Sequence, residues 1–186
     1  RLSSSDPNLQ NIPARGEWGR RFRSAFIPEK GHLFLCADYS QIELRILAHL
    51  SGDARLIETF RQGRDIHNET AVQVFGETSD LSPEETRRRA KIINFSIIYG
   101  TSAFSLAKEL GTSTGEAQDF IDRYFENYPG VRNYLDACVE SARDNGYSET
   151  LMGRRRAIPE LQQSNKMAQQ AGQRIALNTP IQGTAA

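Results

Sequence analysis

The stretch RRRAKIINFSIIYG, residues 87–100, sets four cations within five positions ahead of an apolar and aromatic run. On a helix turning about 100° per residue, Arg87, Lys91, Phe95 and Tyr99 recur every fourth position and share one band, with Arg88 inside it. Ala90, Ile93 and Ile97 gather elsewhere as a compact apolar stripe fit for packing. Cations followed one turn on by flat rings suit a nucleotide, with charge for phosphates and a ring for base or sugar. A solvated basic face is the competing account, and charge count alone favours it. Against it stand two large rings left beside the charges, and no acid four residues before Arg87 or Lys91. Glu84 and Arg88 could form a surface bridge, worth little. No G-x-x-x-x-G-K-[ST] loop occurs, so side chains would have to hold a triphosphate.

A second candidate is the carboxylate in ADYSQIELR. HLFLCADYS, residues 32–40, is a short apolar run closed by an acid, which predicts a buried strand with Asp38 at its end. A carboxylate there is a common seat for Mg²⁺ in phosphoryl transfer, since the ion takes few protein ligands and several from phosphate. Capping the next helix is the competing role for Asp38. Glu43 stays open between a second ligand, a partner for a hydroxyl and an exposed acid.

The elements that must position these residues follow from turn signals and periodicity. Before residue 30 the chain is rich in Ser, Asn, Pro and Gly, which predicts loops and short extended pieces. QIELRILAHL reads as a helix with Ser40 at its N-cap. DARLIETFRQG, DIHNETAVQVFG and SPEETRRRAKIINFSIIYG read as three more, each closed by Gly. Ser82, Pro83 and Glu85 predict a capping box at the start of the last. Helices are also expected over 103–110, 115–127 and from 129 to about 145, then a hairpin with a basic tip in GYSETLMGRRRAIPEL and a final helix. The class is α+β, in two lobes.

Apolar residues at 38% and charged ones at 25% suit a folded, soluble chain. Lys plus Arg and Asp plus Glu are both 23, so net charge indicates no nucleic acid and the clustering of cations carries the argument. Cys36 and Cys138 lack metal or disulfide spacing, and no signal peptide or spanning segment is visible, so a cytoplasmic protein away from membranes is expected. Asn68 and Asn94 head N-x-S/T triplets read as chance. Both ends read as interior to a longer chain.

In order along the chain, RLSSSDPNLQNIP (1–13), DYSQIELR (38–45), RDIHNETA (64–71), RRRAKIINFSIIYG (87–100), GRRR (153–156) and QGTAA (182–186) resemble family A DNA polymerases, the bacterial DNA polymerase I group. Residues 38–45 look like that family's motif A, and 87–100 like its motif B, the nucleotide-binding helix. The resemblance implies a right-hand polymerase fragment with a short antiparallel palm sheet and a mainly helical fingers insertion. Residues 1–50 would be palm and 51–146 fingers. Residues 147–186 would be a hairpin and helix returning to the palm, ending before motif C. The implied activity is template-directed DNA synthesis in replication and repair, by a monomer acting on primer–template DNA and a dNTP.

The resemblance also implies roles. Asp38 would hold two Mg²⁺ ions, one of them shared with the Tyr39 backbone carbonyl. Arg87, Lys91 and His67 would contact the triphosphate, although His67 alone reads as an ordinary helix-surface histidine. Phe95 would stack on the nucleotide. Glu43 would exclude a ribose 2′-hydroxyl and bond to Tyr99, with Gln41 near the same sugar. Arg1, Asn8, Asn11, Asn178 and Gln182 would contact primer–template, and Arg174 and the run 154–156 would either contact its backbone or be structural. Ser96 stands where many members have Gly. The family's later His-Asp-Glu motif, with the second metal-binding carboxylate, does not occur in these residues, so the segment alone is expected to be inactive. Rival readings are a single-subunit RNA polymerase, which Glu43 opposes, a non-catalytic nucleic-acid-binding relative, and a plain interaction domain.

Overall fold

The computed structural model describes residues 5–8, 11–13, 16–76 and 81–186. The chain divides into two units, Arg1–Ser40 and Gln41–Ala186. Among the described residues of the first, helix α1 (Gly16–Ser24) is the one regular element. Glu17 in its first turn and Arg21 and Arg23 in its last match the helix dipole, and the Arg21 guanidinium lies 4.9 Å over the Trp18 ring. The sequence pattern indicated loops here because the helix offers only Trp18 and Phe22 among Gly, Ser and charged residues; both are exposed and only Gly19 on it is buried.

The strand expected over 32–40 does not form. The backbone there is irregular, and Leu33 and Leu35 are 93% and 94% exposed. A strand exists as one partner in a ladder, and no described strand pairs with this run.

The second unit is helical except for one hairpin. Helix α2 (Ile42–Ser51) is capped by Gln41 rather than Ser40: Gln41 adopts φ 56°, and its carbonyl accepts the Arg45 N–H at 3.1 Å. Helices α3 (Ala54–Arg61), α4 (Ile66–Phe75), α5 (Pro83–Ile98), α6 (Ala103–Leu110), α7 (Thr114–Asn127) and α8 (Pro129–Asn145) follow. Asp53, itself buried, starts two of them: its Oδ1 accepts the Leu56 N–H at 3.0 Å, and its Oδ2 accepts the Gly130 N–H at 2.9 Å.

At the start of α5 the capping box is half-formed. Ser82 Oγ accepts the Glu85 N–H at 3.2 Å, with Pro83 in the first turn as expected. The Glu85 carboxylate turns away to Arg88, 2.7 Å, and Arg89, 2.9 Å, so the reciprocal bond is missing and Glu84 is not the partner of Arg88. The complete box is at Ser113 and Glu116 on α7. The core joins Leu44 and Leu47 of α2, Ile66 and Val74 of α4, Ile93 and Ile98 of α5, and Tyr124 of α7.

Strands β1 (Tyr147–Glu149) and β2 (Arg155–Ala157) pair antiparallel with Ser148 opposite Arg156. Helix α9 (Lys166–Ala185) contains Pro180. Proline has no N–H for the Ala176 carbonyl four residues earlier, and Ser148 Oγ donates to that carbonyl at 3.2 Å instead. The bond makes the proline tolerable and ties hairpin to helix. Among the described residues no helix is long and apolar enough to cross a membrane.

Candidate functional site

Helix α5 shows the two faces its sequence predicts. Ala90, Ile93 and Ile97 are buried in the core. On the other band Arg87 and Lys91 are exposed, and Phe95 and Tyr99 are half-buried rather than left in solvent. Their rings stack with centroids 6.1 Å apart and planes at 28°. The His67 ring of α4 also lies near Phe95, 6.0 Å away and tilted at 43°. The site is thus made by α4 and α5 together.

The four cations of the opening run are not equivalent. Arg87 reaches Oδ2 of Asp65 through Nη2 at 2.7 Å and Nε at 3.2 Å, so its partner comes from another helix. Oδ1 of Asp65 caps α4, accepting the N–H groups of His67 at 2.8 Å and Asn68 at 3.2 Å. Burial works to raise the Asp65 carboxyl, but the Arg87 hydrogen bond and the two N–H groups outweigh it and hold it below its usual range. Arg88 and Arg89 are both spent on Glu85, and their hydrogen bonds hold that carboxyl down to about 2. Lys91 has no ion-pair partner among the described residues.

His67 is not a surface histidine; it is 3% exposed. It faces Asn94, a buried residue of α5, whose Nδ2 lies 3.2 Å from His67 Nδ1, 3.0 Å from Thr70 Oγ1 and 3.0 Å from the Ala90 carbonyl. Burial pushes the His67 ring down to about 4, opposed by the Asp65 charge and reinforced by Arg87 and Lys91. The ring is therefore neutral at physiological pH, a donor and acceptor and not a charge.

At the far end of α5 the Tyr99 hydroxyl donates to Glu43 of α2 at 2.8 Å, which is the bond the sequence reading expected. Gly100 follows with φ +60°; a Cβ there would meet Leu177 Cδ1 of α9 at 2.7 Å and Arg174 Cγ at 3.6 Å. Arg174 is exposed beside this junction, while Asn178 and Gln182, further along α9, are half-buried. Ser96 is buried within an unbroken α5, so its side chain is accommodated without a kink. Gln41 holds the turn into α2.

In the first unit Asp38 and Tyr39 are exposed on irregular backbone, and Asn8 and Asn11 are exposed as well. Arg1 lies outside the described residues. Among the described residues no three His, Cys, Asp or Glu side chains group as metal ligands.

Sequence reading gave Asp65 and Thr70 no role and met Asn94 only as the head of a chance N-x-S triplet. An Asp directly before a helical pattern is a cap signal, so Asp65 could have been found. Its bond to Arg87 and the burial of Asn94 depend on how two helices pack, which periodicity does not carry.

The profile of DNA polymerase family A matches residues 1–186. DNA polymerase I, thermostable, of Thermus filiformis is 53% identical over 186 residues, all of this chain and 22% of that protein. DNA polymerase I of Lactococcus lactis is 51% identical over 187 residues, all of this chain and 21% of that protein. The chain thus spans about a fifth of the length of these relatives. Among solved structures, the POL domain of Pol1 from M. smegmatis, in complex with DNA primer-template and dNTP, superposes with a TM-score of 0.85 at 49% identity. That match covers all of this chain and 33% of the other.

Proposed function

The chain belongs to DNA polymerase family A, and on that premise we propose that it forms part of the palm and most of the fingers of an enzyme that copies DNA. That enzyme, a cytoplasmic monomer serving replication and repair, joins a dNTP to a primer 3′-hydroxyl with release of pyrophosphate. Residues 1–50 belong to the palm, 51–146 to the fingers, and 147–186 return to the palm. Helix α2 packs against α9 of the returning segment and also against α8, the last helix of the fingers.

The observation that carries the reading is the α5 face. Lys91 stands exposed without an ion-pair partner among the described residues, beside Arg87 and one turn before the stacked rings. Lys91 and Arg87 take the triphosphate as charges, and His67 as a neutral hydrogen-bond donor. Phe95 stacks on the nucleotide, and Tyr99 lies beside the nascent pair. Glu43, oriented by the Tyr99 hydroxyl, fills the space a ribose 2′-hydroxyl would need, with Gln41 beside the same sugar. A carboxylate in that position also disfavours the RNA polymerase reading. Arg1, Asn8, Asn11, Asn178 and Gln182 contact primer–template, where minor-groove acceptors common to all correct pairs let donors sense geometry; Arg174 contacts the backbone.

Asp38 and the Tyr39 carbonyl suit Mg²⁺: they are hard oxygens on an exposed segment, open to the phosphate and water oxygens that complete the ion's shell. Two such ions, if held there, would supply Lewis-acid activation of the primer hydroxyl and charge stabilisation for the leaving pyrophosphate. Lys91→Ala in the full-length protein tests the site. A lost charge-assisted contact to phosphate predicts about a 10–100-fold fall in single-turnover incorporation efficiency. Unchanged incorporation kinetics would sink the assignment.

A further inference from the structure

The contacts around Asn94 determine where the proton sits on the His67 ring. The Ala90 carbonyl can only accept a hydrogen bond, so the Asn94 atom 3.0 Å from it must be the amide nitrogen. Turning the amide over would set two acceptors against each other. Thr70 Oγ1 lies 3.0 Å from Nδ2 and 3.3 Å from Oδ1, and by donating to Oδ1 it leaves the two amide hydrogens for Ala90 and His67. The same nitrogen lies 3.2 Å from His67 Nδ1, which must then be the acceptor. A neutral imidazole accepting at Nδ1 carries its single proton on Nε2.

We propose that Asn94 is a positioning residue: it locks His67 in the Nε2–H tautomer, so that the ring presents a neutral donor to the phosphates of the incoming nucleotide. This rests on the reading of His67 given under Proposed function. Asn94 is buried and belongs to the packed side of α5, so its influence on the nucleotide runs through His67. An imidazolium would turn an N–H toward the Asn94 amide donor, which reinforces the neutral ring. The charged groups around it are Asp65 on one side and Arg87 and Lys91 on the other.

Two measurements on the full-length protein test the proposal. The first needs no variant: ¹⁵N spectra of the histidine-labelled protein, with His67 assigned by the signals lost in His67→Gln. The expected pattern is a protonated Nε2 and an unprotonated Nδ1 at neutral pH; the reverse tautomer overturns the proposal. The second is a double-mutant cycle on dNTP affinity, measured with a chain-terminated primer so that no chemistry follows. His67→Ala should raise Kd about tenfold, Asn94→Ala should raise it nearly as much, and the double variant should be no worse than His67→Ala. Independent, additive losses overturn the inference and leave the nucleotide site standing. An unchanged Kd in His67→Ala instead refutes the nucleotide role of His67 itself, while the tautomer is still judged from the spectrum. Should Asn94→Ala fail to fold, the near-isosteric Asn94→Asp replaces it. An acceptor opposite Nδ1 draws a proton to that atom, so Kd should acquire a pH dependence that the wild type lacks; a flat profile counts against the proposal.

Discussion

Asp65 carries two structural tasks on its two oxygens, and they can be separated. Oδ1 caps α4 through the His67 and Asn68 N–H groups, and Oδ2 holds the Arg87 guanidinium. Asp65→Ala removes both. Loss of the cap costs about 1 kcal/mol. The ion pair adds about 0.5–1 kcal/mol, because its side chains are 44% and 32% exposed and water screens them. Asp65→Asn keeps an acceptor for the cap and gives up only the charge on Arg87, so it should cost about 0.5–1 kcal/mol. Hydrogen exchange of the α4 amides in the full-length protein reads local opening directly. The Ala variant should exchange about 10–30 times faster in the first turn of α4, and the Asn variant about 2–5 times faster. Equal acceleration in the two would mean that Oδ1 does not cap the helix, and no acceleration in either would refute the shared-carboxylate account.

Two further outcomes are expected. Glu43→Ala should raise ribonucleotide incorporation relative to deoxynucleotide by about 10–100-fold, the range for relieving one steric or polar conflict; an unchanged ratio in single-nucleotide extension assays removes Glu43 from the sugar site. His67 predicts a pH dependence of stability: its ring titrates at about 4 when folded and near 6.5 when unfolded. The unfolded chain therefore takes up the proton first as pH falls. The contribution is complete above about pH 6.5 and lost toward pH 4, at no more than about 1.4 kcal/mol per pH unit. Thermal melts of His67→Gln should lack this component, and a wild-type-to-variant difference that stays constant from pH 7 to 4 contradicts it.

The helices were legible where the information is local. The Ser82 cap, Gly76 after α4 and Pro129 at the start of α8 all act within a few residues of the boundary they set. The division of α5 into a packed and an open face was legible for the same reason, since a fixed turn per residue decides which side chains share a side. The run 32–40 misled because apolar composition describes a strand's faces and says nothing of its partner. Helix α1 was passed over for the opposite reason, having no buried stripe to announce it.

The candidate face of α5 shows the same boundary between what is local and what is not. Sequence counting made Arg87, Arg88, Arg89 and Lys91 one basic cluster, and on that basis a solvated surface was a fair rival. Packing sorts them: Glu85 takes two within its own helix, Asp65 takes the third from α4, and Lys91 is left without a carboxylate partner among the described residues. A cluster neutralised throughout would have favoured the solvated surface. One that keeps a lysine between a held arginine and two stacked rings has its charge where an anion with a flat base can use it. Asp65 sharpens the point, because the oxygen that orients Arg87 belongs to the carboxylate that starts the helix bearing His67. A shift of α4 against α5 would therefore disturb Arg87 and His67, the two proposed phosphate contacts, together, and sequence spacing within either helix could not have revealed that they are linked.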